Sequence, residues 1–583
     1  MTEIDKKEVA RILNEIGTML ELKGENPFKS RAYYNGARSI ESITEDIQTL
    51  VESGKLAGMK GIGQALHEKI TELVTEGELV YYEDLKSSIP EGLLDMLDIP
   101  GLGPKKVRKI WQELEISTIG ELEYACQENR LTDLEGFGQK TQEKVLDGIE
   151  YLKKYQDRWL LDDAYKAADP LLKYVDSHDK VNRAQLAGSL RRMKETVKDV
   201  DILASVAEED RQSVMNDFSK HEMVAEVIGS GETRTSVRLK SGIQADLRLV
   251  SDEEFPFALH YFTGSKEHNT AMRSIARKQE IKMNEYGLFT PNEERITCAD
   301  EAEIFKSLGL NYIPPGLREN MGEIEYASDS PIPALLTERD IRGIIHIHTN
   351  YSDGVPSIRN WVEECRNRGY SYLGITDHSQ SAFYANGLKP DRLAEQWEEI
   401  EEVGSDYPDF RIFQGIESDI LPDGSLDYED DILEQFDFVI ASVHSHFQLS
   451  RSQQTERLIR AVKNPYTTIL GHPTGRLLLA REEYAVDMPA VIRAAGGAGT
   501  VIEINANPRR LDLDWRLGPL AREQGVLTAI NPDAHSFKGL DYMRYGVGVA
   551  RKGWFQADEV INTWHADRLA EFFKERRLSK EPT

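Results

Sequence analysis

The sequence predicts a multidomain protein with three architectures in series. An all-helical region comes first, a mixed α+β region follows, and a region of alternating strands and helices ends the chain. Three observations predict this arrangement. The 583 residues are too many for one core. A glycine-turn unit occurs three times before residue 150. Seven apolar, strand-like runs alternate with helical segments after residue 340.

Composition restricts the class of protein. No apolar run is long enough to span a membrane, and the N-terminus has no apolar signal core, so we expect a cytoplasmic protein with no membrane partner. Cys126, Cys298 and Cys365 are far apart in sequence, which fits a reducing compartment. The net charge of −29 is unusual for a nucleic-acid binder, so any grip on DNA must come from local patches or from bridging cations.

The helical region contains three similar units, at 59–70, 99–110 and 134–145, each of the form apolar–x–Gly–apolar–Gly before a polar helix start. Paired glycines at a helix N-terminus expose backbone amides that can hold a phosphate. The units resemble the helix-hairpin-helix motif, which grips the DNA backbone. The alternative is a helical hairpin with a tight turn, which is less favoured because the unit occurs three times. The predicted DNA contacts are Gly61, Gly63, Gly101, Gly103, Lys105, Lys106, Gly136 and Gly138.

The middle region carries a cluster of carboxylates on two predicted strands, 197–206 and 243–250. Asp199 and Asp201 are two residues apart and face the same side of their strand, and Asp246 on the second strand completes a set of three. Three adjacent carboxylates require cations, and Mg²⁺ or Mn²⁺ is the natural choice for phosphoryl transfer. Surface acids on an exposed strand are the alternative.

These motifs resemble the nucleotidyltransferase palm of family X DNA polymerases, a likeness that extends over nearly all of 1–320. The segment "GSLRR" is similar to the family's triphosphate turn, and "YFTGSKEHNTAMR" at 261–273 is similar to its dNTP-binding segment. Gln244 stands where animal repair members carry an arginine that orients the third aspartate, and Lys266 replaces an acidic residue. The resemblance implies dNTP contacts at Gly188, Ser189, Arg192, Tyr261, Phe262, Gly264, Asn269 and Arg273.

The same resemblance implies a second reaction in the N-terminal domain. Family members can remove a 5′-deoxyribose phosphate through a lysine Schiff base, and the matching lysine is Lys69. An ordinary phosphate contact by this lysine is the alternative.

Metal-ligating side chains follow the predicted strands of the last region. Because the active site of such a barrel lies at the carboxyl ends of its strands, we expect the side chains to converge on two or three ions. An imidazole-rich set favours Mn²⁺, Zn²⁺ or Fe over Mg²⁺. The predicted ligands are His346, His348, Asp353, His378, Glu417, His444, His472, Asp533 and His535.

This region resembles the PHP (polymerase and histidinol phosphatase) domain along its length, through "HIHTNYSDG", "GITDHS", "GIESDI", "GHPTGR", "EINANP" and "DAHS". The likeness implies a distorted (β/α)7 barrel with a trinuclear site. It assigns one metal to His346, His348, Glu417 and Asp533, a second to Asp353, His378 and His535, and a third to Glu417, His444 and His472. Arg476, Arg509 and Arg510 are candidate contacts of the scissile phosphate.

We therefore predict a bacterial- or archaeal-type family X DNA polymerase with a PHP domain, which fills short gaps in DNA repair and trims DNA from the 3′ end. AP-endonuclease and 3′-phosphatase action are further possibilities for the barrel. Expected partners are gapped or nicked duplex DNA and dNTPs, for a monomer associated with the nucleoid. The predicted boundaries are 1–85 (lyase-type helical domain), 86–155 (second hairpin region), 156–258 (palm), 259–327 (thumb), 328–339 (linker) and 340–583 (PHP barrel).

Two rival functions belong to other classes. The first is a histidinol-phosphate-type phosphatase with an appended nucleotidyltransferase, for which the DNA-gripping hairpins would be superfluous. The second is a repair scaffold that bridges broken ends without catalysis, and the complete ligand sets argue against it.

Overall fold

The computed structural model of the chain describes residues 5–41, 43, 47–59, 61–99, 101–132, 134–153 and 157–578. The chain divides into two units, one that runs to Leu152 and one that begins at Lys153. The predicted boundary between residues 155 and 156 falls outside the described residues, as do both chain ends.

The first unit is helical, as predicted, with its own apolar core. Helix α1 shows why the segments fold locally: the Asp5 side chain accepts a hydrogen bond from the Glu8 amide at 2.9 Å, and the helix stops at Gly24, which has a φ of 71°. The helices are α1 (Lys6–Lys23), α2 (Pro27–Glu41), α3 (Ile47–Glu52), α4 (Gln64–Glu76), α5 (Val80–Ser87), α6 (Gly92–Asp95), α7 (Pro104–Leu114), α8 (Ile119–Gln127) and α9 (Gln139–Lys153).

The second unit begins with a five-stranded mixed sheet in the order β2-β4-β7-β6-β5. The neighbouring strands β4 and β7 are parallel, and every other neighbouring pair is antiparallel. The elements are β1 (Trp159–Leu160), α10 (Leu161–Asp176), β2 (Val181–Leu186), α11 (Gly188–Arg191), β3 (Thr196–Val197), β4 (Asp199–Val206), α12 (Arg211–Ser219), β5 (Val224–Ser230), β6 (Arg234–Leu239) and β7 (Gln244–Val250).

A smaller helical segment with a three-stranded antiparallel sheet follows. Its elements are α13 (Phe255–Thr263), α14 (Lys266–Lys278), β8 (Lys282–Asn284), β9 (Gly287–Phe289), β10 (Arg295–Ile296), α15 (Glu301–Ser307) and α16 (Glu323–Asp329).

The last region is the predicted seven-stranded parallel barrel, with its strands in sequence order from β11 to β17. A parallel bridge between Ile347 and Ala534 brings the first and last strands together, so the barrel is nearly closed. Its elements are β11 (Gly343–Ile344), α17 (Ile358–Asn367), β12 (Tyr372–Ile375), α18 (Pro390–Asp406), β13 (Arg411–Asp419), α19 (Asp430–Leu433), β14 (Phe438–Ser442), α20 (Arg451–Lys463), β15 (Ile469–Leu470), α21 (Met488–Ala498), β16 (Val501–Asn505), α22 (Gly518–Glu523), β17 (Thr528–Asn531), α23 (Met543–Lys552) and α24 (Ala566–Leu578).

The mixed sheet and the barrel share one hydrophobic core, which includes side chains from 159–249 and from 336–560. The predicted linker takes part in this packing: Leu336 is fully buried, and its carbonyl accepts a hydrogen bond from Arg551 at 2.8 Å. None of the described helices is long and apolar enough to cross a membrane.

Candidate active sites and nucleic-acid interface

The three glycine turns have one geometry. Gly61, Gly101 and Gly136 have φ values of 92°, 89° and 87°, in the left-handed region that glycine tolerates best. The second glycine of each turn immediately precedes a helix: Gly63 precedes α4, Gly103 precedes α7 and Gly138 precedes α9. The helix amides therefore point out of each turn, as an anion site requires.

Within the described part of the chain, there is room for a side chain at the second glycine of each turn. Gly103 has a φ of −103° and a ψ of 171°, which any residue can adopt. A Cβ built on Gly63, Gly103 or Gly138 would meet no atom of the described residues within 4 Å. A bare backbone is thus useful here only if something outside the unit approaches it closely, and a DNA phosphate fits that requirement.

Lys69 lies on α4, half-buried, with its Nζ 4.5 Å from the centre of the Tyr81 ring. Tyr81 in turn stacks on Tyr33 at 6.3 Å. The aromatic pair orients the lysine by a cation–π contact.

The three predicted catalytic aspartates meet near the starts of the adjacent strands β4 and β7. The parallel register pairs Asp201 directly with Asp246, and Asp199 with Gln244. Because side chains of the same parity share a face, all three carboxylates lie together. Burial and the neighbouring Asp199 and Asp246 carboxylates raise the pKa of Asp201 to about 7. Burial and like charge both disfavour the ionised form of Asp201, and bound cations would favour it.

Gln244 replaces the arginine that orients the third aspartate in animal repair members of the family, but other contacts orient Asp246 here. Gln244 Nε2 donates to Asp246 Oδ1 at 3.2 Å, and Arg234 on the neighbouring strand β6 places Nη2 2.5 Å from Asp246 Oδ2. The sequence analysis did not identify Arg234. The antiparallel pairing of β6 and β7 places it there, so only a correct strand order could have found it.

The triphosphate turn lies against the aspartates. Gly188 has a φ of 63°, and a Cβ at this position would overlap Asp201 Oδ2. Both the backbone conformation and the lack of space therefore require glycine here. Ser189 follows in the short helix α11. Arg192 places Nε 3.2 Å from Glu319 Oε1 and also donates to the Thr263 carbonyl.

The remaining nucleotide residues line the adjoining helices. Gly264 has a φ of 71° and lies beside the Arg192 guanidinium. The Tyr261 and Phe262 rings make an edge-on contact at 5.2 Å, and Asn269 Nδ2 donates to the Tyr261 carbonyl at 2.7 Å. Arg273 lies one turn beyond Asn269 on the same face of α14. The structure therefore brings the predicted nucleotide contacts into one neighbourhood.

The nine predicted barrel ligands converge around Glu417. Eight of these residues are buried, and the His444 side chain is only 4% exposed. His346, His348, His378, His444 and His472 each place a ring nitrogen within 3.6 Å of a Glu417 oxygen. A central carboxylate among five imidazoles is the arrangement expected of a bridging ligand.

The other two carboxylates complete the set. Asp533 Oδ1 lies 3.1 Å from His348 Nε2 and 3.5 Å from His346 Nε2. Asp353 lies 3.3 Å from His535 Nε2 and 3.5 Å from His378 Nε2. His348 also approaches Asp353, at 3.7 Å, so it lies between the first two predicted metal positions.

These distances fit metal coordination. Ligand atoms bound to one ion at about 2.1 Å lie roughly 3 to 3.5 Å apart, which matches the observed pairs. His346 Nε2 and Glu417 Oε2 are buried and make no hydrogen bond with the described part of the chain. Burying such atoms without a partner is costly, so the residues present fit bound cations.

A second layer of carboxylates orients the ligands. Glu503 Oε1 lies 2.7 Å from His346 Nδ1, and Asp419 Oδ1 lies 2.6 Å from His444 Nδ1. These contacts turn the Nε2 atoms toward Glu417. The sequence analysis identified neither role, although both acids lie in the quoted motifs, and Asp419 follows Glu417 at the two-residue spacing that shares a strand face.

The three predicted phosphate-binding arginines differ in their surroundings. Arg476 is held by Asp514 at 2.7 Å and by the carbonyls of Arg510 and Leu511. Arg510 Nε lies 3.8 Å from Asp533 Oδ2, beside the metal ligands. Arg509 is buried, and its amide donates to Asn507 Oδ1. Arg510 is thus the best placed of the three to meet a substrate at the ligands.

The fold and the sites together define a class of protein: a metal-dependent enzyme that joins a nucleotidyl-transfer palm to a phosphoesterase barrel. Sequence profiles agree with this division. A helix-hairpin-helix domain matches residues 4–79, a SAM-like helix-hairpin-helix tandem matches 93–150, the DNA polymerase beta thumb matches 258–319 and the PHP domain matches 345–507.

Relatives specify the family. The chain is 39% identical over 572 residues to the DNA polymerase/3′-5′ exonuclease PolX of Bacillus subtilis (strain 168), an alignment that covers 98% of this chain and 99% of the relative. Probable phosphatases of Thermoanaerobacter sp. (strain X514) and Caldanaerobacter subterraneus subsp. tengcongensis are 29% and 28% identical, but cover only 40% and 41% of this chain. The chain belongs to the family X DNA polymerases that carry a PHP domain.

Proposed function

We propose that this family X enzyme fills short gaps during DNA repair, including base excision repair, and trims unsuitable 3′ ends with its barrel. As a member of its family, the chain is a DNA polymerase with a metal-dependent 3′–5′ exonuclease. The observation that carries the proposal is the presence of two complete, separate ligand sets in one chain, behind three hairpins whose bare glycines suit a phosphate backbone.

In the palm, Asp199, Asp201 and Asp246 would hold Mg²⁺ or Mn²⁺. These ions would neutralise the triphosphate and the leaving pyrophosphate. Arg192 and the turn at Gly188 and Ser189 would bind the triphosphate. Arg234 would hold the Asp246 carboxylate in place beside Asp201, its partner on the neighbouring strand.

In the barrel, the nine ligands would hold two or three Mn²⁺, Zn²⁺ or Fe ions. The ions would stabilise charge on the phosphodiester during hydrolysis. Arg510, beside Asp533, would contact the scissile phosphate, whereas Arg476 would mainly hold the loop that carries Arg510. The barrel would act as a 3′–5′ exonuclease, with AP-endonuclease and 3′-phosphatase action as related hydrolyses.

The proposed partners are gapped or nicked duplex DNA and dNTPs, and the proposed working state is a monomer at the nucleoid. The bare glycines support sequence-independent binding, because they favour contact with phosphates and not with bases. Helix N-termini and bridging cations would allow a chain with a net charge of −29 to bind DNA.

The test uses DNA with a short gap, a 5′-phosphate and an end-labelled primer, in Mn²⁺, with and without dNTPs. We expect the primer to lengthen with dNTPs and to shorten without them. A primer that stays unchanged while small phosphomonoesters are hydrolysed would favour the phosphatase alternative. The limited coverage of the phosphatase relatives argues against that alternative, because their likeness is confined to the barrel.

We further propose that Lys69 provides a 5′-deoxyribose-phosphate lyase. The support is its half-buried position beside Tyr81, on the helix that follows the turn at Gly61 and Gly63. Borohydride should trap the chain on an incised abasic-site substrate, and Lys69→Ala should abolish the trapped product. Equal trapping by Lys69→Ala and by the parent chain would leave Lys69 as an ordinary phosphate contact.

A further inference from the structure

The turn that follows Arg192 is held by the barrel. Lys552, the last residue of α23, is only 2% exposed and lies far along the chain from this turn. Its Nζ donates to the Arg192 carbonyl at 3.0 Å, to the Gly316 carbonyl at 2.9 Å and to Glu319 Oε1 at 2.9 Å. The ammonium group of this barrel residue thus donates three hydrogen bonds to residues of the polymerase region.

The same carboxylate holds the Arg192 side chain. Glu319 Oε1 lies 3.2 Å from Arg192 Nε, and Oε2 lies 3.7 Å from Lys194 Nζ. Arg192 is therefore fixed at two points, its carbonyl by Lys552 and its guanidinium by Glu319 and the Thr263 carbonyl. Because Glu319 also binds Lys552, the two points are coupled.

The rest of the turn is covered by the barrel as well. Trp515 Nε1 and Arg516 Nη1 each donate to Glu195 Oε1 at 2.9 Å. A Cβ on Gly548 would meet Met193 Cε at 2.6 Å, so α23 packs directly against the turn. The barrel thus contacts the segment from 192 to 195 along its length.

A lysine here has no role in barrel chemistry. Its three hydrogen-bond acceptors all belong to the polymerase side, and burying an ammonium is unfavourable unless directed bonds compensate. Burial lowers the pKa of Lys552 to about 8, against the opposing effect of Glu319. An apolar side chain could fill the space without that cost, but it could not hold the Arg192 carbonyl in place.

We propose that Lys552 of the barrel is a positioning residue of the polymerase site, which holds Arg192 in the geometry that binds the triphosphate of the incoming nucleotide. The proposal rests on the proposed role of Arg192. It makes the barrel a structural part of the polymerase, in addition to an enzyme in its own right.

The experiment measures single-nucleotide gap filling by full-length Lys552→Met, with KM for dNTP separated from kcat. We expect KM to rise about tenfold while kcat changes less than about twofold, because ground-state positioning is lost and the metal-binding aspartates are untouched. The 3′–5′ exonuclease should be unchanged on the same preparation. Arg551→Met is the matched control, because Arg551 lies on the same helix and donates to the Leu336 carbonyl, outside the segment from 188 to 195.

A double variant tests whether the two residues act together. If Lys552 and Glu319 act on Arg192 as one unit, Glu319→Gln combined with Lys552→Met should raise KM no more than the larger single effect. Additive effects would overturn the coupled arrangement.

Further variants separate the possible failures. If Arg192→Ala leaves KM unchanged, the proposed role of Arg192 is wrong. If Arg192→Ala raises KM but Lys552→Met behaves like Arg551→Met, the role of Arg192 stands and the present proposal is overturned. If Lys552→Met also loses exonuclease activity, the measurement is repeated with Lys552→Gln, which keeps a hydrogen-bond donor. Equal loss of both activities in Lys552→Gln would show a purely structural role and overturn the proposal.

Discussion

Both candidate metal sites of this chain bring carboxylates together, but the neighbouring side chains differ between the two sites. In the barrel, each carboxylate lies among imidazoles. Burial alone would raise the pKa of Glu417, but His444, His346 and His378 outweigh burial and hold that pKa well below its usual range. In the palm, three carboxylates lie close together, and burial with the neighbouring Asp199 and Asp246 carboxylates raises the pKa of Asp201 to about 7 despite the nearby guanidinium groups.

The two sites differ in the ligands that they offer to metal ions. The barrel offers imidazoles and carboxylates that a second layer of acids holds in place, a ligand set that suits ions which imidazole binds well. The palm offers three carboxylates, a ligand set that suits oxygen-bound ions.

The largest expected effect comes from breaking one site at a time. Asp201→Ala should lower dNTP addition by about a thousandfold or more and leave primer trimming intact, because the charge stabilisation lost is worth several kcal/mol. His346→Ala should do the reverse. The end-labelled primer assay measures both activities, and loss of both from either change in a folded protein would contradict two independent sites.

A smaller effect should come from the second layer of the barrel. Glu503→Gln weakens the contact with His346 Nδ1 and should lower exonuclease activity about 10- to 100-fold through weaker metal binding. Added metal should restore part of the loss, and gap filling should not change. The control is Asp541→Asn, an exposed acid paired with Arg368, which should have no effect. Loss that excess metal does not reverse would argue against a role in orienting a ligand.

The smallest effect concerns the hairpins. Gly103→Ala should leave the melting temperature unchanged and weaken binding of gapped DNA by roughly threefold to tenfold, because the added methyl group blocks close approach of a phosphate. Gly101→Ala should instead destabilise the first unit by about 1 kcal/mol, since its φ is 89°. Fluorescence anisotropy and thermal melting distinguish the two variants.

Gly404→Ala serves as the control for the hairpin variants, because a Cβ there also meets no described atom and the position lies on α18 of the barrel. If Gly103→Ala binds DNA as tightly as Gly404→Ala does, the hairpin at 99–110 is not a phosphate contact.

Much of the candidate chemistry could be predicted from local pattern. His346 and His348 follow β11. Every other barrel strand except β16 also has a predicted ligand near its carboxyl end. The alternation of strands and helices in the sequence therefore already predicted that these ligands lie at one end of a barrel. The spacing of Asp199 and Asp201 predicted a shared face, which the register of β4 confirms.

Other parts depended on contacts that local pattern does not encode. Arg234 reaches Asp246 only because β6 pairs with β7, and Glu503 reaches His346 across 157 positions in sequence. Arg476 resembled a phosphate contact in sequence, yet its guanidinium holds the loop at Arg510 and Leu511.

The sequence by itself determined the chemistry of this protein: three carboxylates for one site, nine nitrogen and oxygen ligands for the other, and paired glycines before helices. These are local features, set by strand and helix periodicity and by the conformational freedom of glycine. The tertiary structure alone decided which residues hold the catalytic and binding side chains in place. Lys552 meets Arg192 across 360 positions because the barrel and the palm share one core, and such long-range packing is a property of the whole chain.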